Sequence, residues 1–153
     1  MQKTTMLKKE AAIKNRKWFA VDASNLILGK LAVKAADLLR GKNKADFTPN
    51  QDCGDFLIIY NTDKVLLSGN KALTEKWYRH SQHIGGIKSR TGKEMLEQQS
   101  DKLVYGAIEG MLPGNRISKF IIRKLKVYKG PEYKESAQNP TVLDWSPKKK
   151  GVK

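Results

Sequence analysis

"WFAVDASNLILGKLAVKAADLLRGK", residues 18–42, decides how the rest of the chain is read. It opens on a short β-prone run, WFAVDA (18–23), and passes into LGKLAVKAADLLRGK (28–42). In the second piece Leu31, Ala35, Leu38 and Leu39 recur at helical spacing, while Lys30, Lys34 and Asp37 share the opposite face. Gly41 is a natural stop, because glycine closes a helix in the left-handed conformation without a Cβ penalty. A second apolar run, DFLIIYN (55–61), is continuous rather than alternating, as in strands covered on both faces in parallel sheets. Strand, helix, strand across residues 18–61 is a βαβ unit, whose crossover should be right-handed. The expected fold class is therefore α/β, and 153 residues suit one domain able to bury a real core.

Further along, KVLLSGNK (64–71) and KWYRHS (76–81) read as short edge strands around a Gly69-Asn70 turn, and HIGGIKSRTG (83–92) as loop. Thr91 with Glu94 three residues on forms a capping box that opens a short helix. Leu103, Val104, Ala107, Ile108 and Met111 mark a second amphipathic helix, stopped by Pro113. NRISKFIIRKLKVY (115–128) places Ile117, Phe120, Ile121 and Leu125 on one helical side, with Arg116, Lys119, Arg123 and Lys124 largely elsewhere. From Gly130 the chain is rich in Pro, Lys and polar residues, and an extended course over a surface is expected. GMLPGNR (110–116) should end one helix and turn the chain so that the next presents its basic face, with Met111 and Leu112 packed at the base.

Thirty Lys and Arg against fifteen Asp and Glu give a net charge of +15, which selects polyanions, most often nucleic acid, as partners. The excess lies at the ends. Residues 1–17 carry net +5, residues 45–109 net −1, and residues 110–153 net +8. The expected organisation is a basic arm over 1–17, mobile until it meets RNA, a body over 18–145, and a basic tail over 146–153. Cys53 stands alone, so there is no intramolecular disulfide framework. No apolar run approaches the roughly 20 residues that span a bilayer, and residues 1–17 lack the apolar stretch of a signal peptide. The expected setting is the cytoplasm, with no membrane partner.

The catalytic motifs fail one by one. Asp52 and Asp55 in DCGD (52–55) read as turn residues. His80 and His83 fall short of the ligands a structural zinc needs, so no metal is expected, and both fit an RNA-facing loop better. Gly69 and the pair Gly85-Gly86 lack the spacing of phosphate loops, which argues against a nucleotide cofactor or small-molecule substrate. What survives is close backbone approach to an outside phosphate at Gly69, Gly85 and Gly86, flanked by Lys71 or Lys88, with Ser81 a further candidate RNA contact. Arg116, Lys119, Arg123, Lys124 and Lys126 form a polyanion-binding cluster in which Tyr128 can stack on a base. Lys30, Lys42 and Lys44 join the candidate RNA contacts, although a lone lysine is usually solvated charge. A free regulator of DNA or mRNA should show a reading module such as a helix-turn-helix, and none is found.

Taken in order, WFAVDASNLILGKLAVKAADLLRGK, DCGDFLIIYNTDKVLLSGNK, HIGGIK, GMLPGNR and RKLKVYKG…AQNP resemble the bacterial large-subunit ribosomal protein thirteen family over residues 18–143. The resemblance implies an α/β domain with a central, largely parallel four-stranded sheet flanked by helices. It also implies a non-catalytic role: binding large-subunit (23S) rRNA among neighbouring ribosomal proteins, helping early 50S assembly, with mRNA as a further partner. Two departures stand out. Gln82 occupies a position often glycine in the family, so a less tightly wound loop is expected there. The family's His-rich stretch before AQ-P is replaced by Tyr133, Lys134, Glu135 and Ser136, so no role of those histidines carries over.

Overall fold

The computed structural model describes residues 6–146. In chain order the elements are α1 (Lys9–Lys14), β1 (Trp18–Asp22), α2 (Leu28–Arg40), β2 (Phe56–Tyr60), α3 (Lys71–Thr74), β3 (Lys76–His80), β4 (Ile87–Thr91), α4 (Gly92–Met111), α5 (Ser118–Ile121), β5 (Leu125–Val127) and β6 (Thr141–Leu143). The main sheet has the order β5-β2-β1-β6 and every pairing in it is parallel. Side chains alternate across a strand. One face therefore presents Phe19, Val21, Leu57, Ile59, Leu125 and Val127, which join Leu31, Ala35 and Leu39 of α2 and Val104 and Ile108 of α4 in one core. On the other face Ala20 and Ile58 are fully buried, and Trp18 stacks on its register partner Phe56 at 4.3 Å. Burial on both faces explains the uninterrupted apolar reading of β2.

The α2 stripe and its stop behave as the spacing predicts: Gly41 takes φ 83° and closes the helix with bonds to Asp37 O and Leu38 O. Thr91 and Glu94 form the capping box that opens α4. The two helices expected after it are one element bent at Gln99, whose φ of −140° and ψ of 50° leave the helical region. The neighbouring Ser100 is buried, its hydroxyl 3.0 Å from Thr62 Oγ1.

Four expectations are corrected. HIGGIKSRTG is not loop: Ile87–Thr91 pairs antiparallel with Lys76–His80, while 64–71 contributes only an isolated bridge from Leu66 to Ile27. Gln82 does not loosen the turn, because it adopts the left-handed φ of 68° itself, and its N–H bonds to His80 Nδ1 at 3.0 Å. The segment after Pro113 is a single helical turn, α5, a 3₁₀ turn at Ile122–Lys124, and an edge strand whose Leu125 and Val127 join the main core beside β2. The chain beyond Gly130 keeps to the surface but is not merely extended over it: it returns as an exposed edge strand, β6, to pair with β1.

The described part of the basic arm is also docked, with Ala12 of α1 buried. Residues 1–5, and the tail after Ser146, lie outside the described residues.

What fastens these pieces is the turn read from DCGD. Asp52 accepts Arg16 Nη2 at 2.8 Å and the Lys124 ammonium. Buried Asp55 accepts Lys44 Nζ at 2.6 Å and the Lys17 backbone N–H at 2.9 Å. Lys124 also donates to Leu39 O, 3.0 Å away at the C-terminal end of α2, where the helix dipole favours a cation. The turn passes so close that a Cβ on Gly54 would sit 1.6 Å from Leu39 O. Gly54→Ala is therefore expected to cost about 3 kcal/mol or more, the upper range for forcing atoms into a packed site. A large drop in the urea midpoint checks this.

Candidate nucleic-acid interface

The clamp divides the cations into two populations. Lys124, expected on an RNA-facing helix, has a side chain only 4% exposed and is not available to phosphate. Burial pushes its ammonium below the usual lysine range, against the pull of Asp52. Lys44 likewise spends its ammonium on Asp55, Cys53 O at 3.0 Å and Asn15 O at 3.3 Å. The hydroxyl of half-buried Tyr128 donates to both Glu135 oxygens, and burial together with that carboxylate raises its pKa, so the hydroxyl is committed internally. Lys42 is half-exposed and pairs with Asp37 at 3.0 Å.

The second population is unpaired. Among the described residues none of Arg79, Lys88, Arg90, Lys102, Arg116, Lys119, Arg123 and Lys126 enters an ion pair. Its densest part is the β3–β4 hairpin. Trp77 faces Arg90 and Arg79 faces Lys88 in register, and with Met95 and Lys102 of α4 they line a groove of about 570 Å³ that contains no acid. Like charges directly opposite across a strand pair destabilise it, and a phosphate between them removes that repulsion. On sequence alone Arg79 reads as solvated charge, and Arg90, Lys102 and Trp77 give no site reading. The signal lay in the alternation W-x-R and K-x-R on either side of the glycine pair. At the hairpin end His80, Ser81, Gly86 and Lys88 share a second hollow with Arg79. His83, Gly85 and Ile84 are exposed at the tip. Gly86 has a structural duty too, since a Cβ there would meet Ser81 Oγ at 2.0 Å.

GMLPGNR builds a different groove. Pro113 ends α4, and Asn115 Oδ1 accepts the Ser118 N–H at 3.0 Å to start α5. Arg116, Lys119 and Arg123 then line a groove of about 870 Å³ with Tyr105, Phe120 and one acid, Glu109. Leu112 packs beneath as expected, whereas Met111 is half-exposed and lies with Lys30 and Lys71 in a separate hollow beside Trp77. Lys126 stands alone on the edge strand.

Numbered within the main sheet, the strand order is 3-2-1-4, that of a mononucleotide-binding half whose crevice lies beyond the strand ends at the switch between the first and fourth strands. Here β1 ends in Asp22, which accepts Ser24 N–H at 2.9 Å, Ser24 Oγ at 2.7 Å and Asn61 Nδ2 at 3.0 Å. Partial burial raises its pKa, but the bonds from Asn61 and Ser24 outweigh that and hold the carboxyl below its usual range. An ionised carboxylate in this place repels a phosphate. That charge at the end of β1 disfavours the phosphate use this topology has elsewhere.

Fold and surface thus define a class: a polycationic α/β protein whose ionised groups, among the described residues, are paired within the structure or turned outward. The chain belongs to the ribosomal protein L13 family, whose family model matches residues 16–134. It is 64% identical over 146 residues to the large ribosomal subunit protein uL13 of Mycoplasma pneumoniae, covering 95% of this chain and all of that one. The uL13 protein of Maridesulfovibrio salexigens is 50% identical over 131 residues, 86% of this chain and 92% of its own. That of Mycobacterium bovis is 52% identical over 125 residues, 82% and 85% respectively.

Two neighbouring cations should report the division directly. Lys124→Ala leaves Leu39 O without its cation and Asp52 with Arg16 alone, and is expected to cost about 3 kcal/mol, as for a broken buried pair. Arg123→Ala, one residue away on the surface, should stay within about 0.5 kcal/mol of the parent in the same urea titration.

Proposed function

We propose that this chain is a structural, non-catalytic constituent of the large ribosomal subunit, which binds the 23S rRNA and supports early assembly of the subunit and thus translation. Family membership supplies the class. The observation that carries RNA binding is the unpaired cation population: an acid-free hairpin groove and an Arg116–Lys119–Arg123 groove, both open to phosphate and both furnished with aromatic side chains. Neighbouring large-subunit proteins are its other partners in the cytoplasmic particle. Free of the particle, the same cations offer a sequence-indifferent surface to mRNA.

Phosphate contacts release counterions, so affinity falls with salt in proportion to their number. Six contacts, three from Arg79, Lys88 and Arg90 and three from Arg116, Lys119 and Arg123, give a log–log slope on the order of −5. Lys119→Gln with Arg123→Gln, or Arg79→Gln with Lys88→Gln, should each flatten the slope by about 1.5. Lys124→Met should leave it unchanged, because its ammonium faces Asp52. Fluorescence anisotropy with an rRNA fragment over a salt series measures all four proteins. A slope that responds to Lys124 and not to the surface pairs would place binding elsewhere. Tagged protein co-sedimenting with 50S particles in high salt tests the ribosomal assignment itself.

A further inference from the structure

Phe120 is a large apolar side chain left 52% exposed on the single helical turn of α5. It stands between two grooves. On one side lies the Arg116–Lys119 groove, and on the other a separate groove of about 620 Å³ between α1, the DCGD turn and α5. That second groove has an apolar lining of Ile13, Phe56, Ile117 and Phe120, with Ile13 also half-exposed. Its charged members are Lys9, Arg16, Arg123, Lys124 and one acid, Asp52, which Arg16 and Lys124 already neutralise. Arg16 Nε is buried there with no acceptor. The Arg123 guanidinium lies 5.4 Å from the centre of the Phe120 ring.

We propose that this groove receives an unpaired RNA nucleotide, its base stacked on Phe120 and its phosphate held by Arg123 and Lys9. The inference rests on the RNA-binding reading above and gives it a chemical preference for unpaired over helical RNA. A flat apolar face beside a guanidinium fits a base, because every base offers a π-face and the cation meets the adjoining phosphate. An acidic protein segment would match the charge but makes no demand for a half-exposed ring flanked by a guanidinium. The volume lies within the roughly 300–1,000 Å³ of small-ligand sites. A base carbonyl or ring nitrogen entering the groove also supplies the acceptor that Arg16 Nε lacks.

Stacking and phosphate contact separate in a salt titration, since only the second releases counterions. The full chain is titrated with a short hairpin RNA carrying one bulged adenosine and with the same hairpin fully paired. The parent should prefer the bulged probe by about tenfold, within the range of one base–aromatic stack. Phe120→Ala and Phe120→Leu should both abolish that preference without changing the salt slope, and Phe120→Trp should keep it. Arg123→Gln should flatten the slope by about 0.8 on the bulged probe. The leucine variant guards against a folding artefact, because it keeps the apolar packing and removes only the aromatic face. If Phe120→Ala and the parent bind both probes alike while the steep salt dependence persists, the groove is not a nucleotide site and the RNA reading stands. If Phe120→Leu retains the full preference, the ring serves packing and the stacking proposal falls. A parent that binds neither probe overturns the RNA reading and this inference together.

Discussion

Two carboxylates in one tight turn hold this molecule together. Asp52 and Asp55 lie on either side of Gly54, and between them they bind the chain before β1, the segment after α2, and the 3₁₀ turn before β5. These are pieces far apart in sequence. Charged groups can be drawn inside only when paired and fully hydrogen-bonded. The turn meets that condition by letting Lys124 satisfy a carboxylate and the end of a helix at once. Gly54 is the geometric requirement, because no side chain fits against Leu39 O.

The clamp also shapes function, through subtraction. A chain of net charge +15 repels itself, and each cation placed inside the clamp is one fewer on the surface. Arg16, Lys44 and Lys124 are consumed this way, so the outward charge is concentrated on the β3–β4 hairpin and around α5. Both regions are thinly supported by the main core: the hairpin strands are largely exposed, and α5 is a single helical turn. A free protein therefore carries cross-strand repulsion that a polyanion relieves. The strand order that serves nucleotide enzymes is retained, while an ionised Asp22 stands at the end of β1.

Much of the core was legible because its residues are governed by neighbours in sequence. The α2 stripe, the Gly41 stop and the Thr91–Glu94 cap are local events, and each was readable from spacing alone. The hairpin was missed because its second strand, IKSRT, has no apolar alternation: with one face open to solvent, cross-strand pairing rather than burial defines it. For the same reason Arg90 and Lys102 did not read as site residues; they belong to different elements and meet only across the groove.

Sequence by itself determined the fold class, the family and the sign of the partner, since these depend on periodicity, ordered motifs and net charge. Tertiary structure alone decided which cations can act. Arg123 and Lys124 are adjacent and equally basic in sequence. One side chain lies over Phe120 on the surface, and the other is sealed against Asp52 and the end of α2. The difference is set by the direction each side chain leaves a 3₁₀ turn, and by what distant chain has folded beneath it.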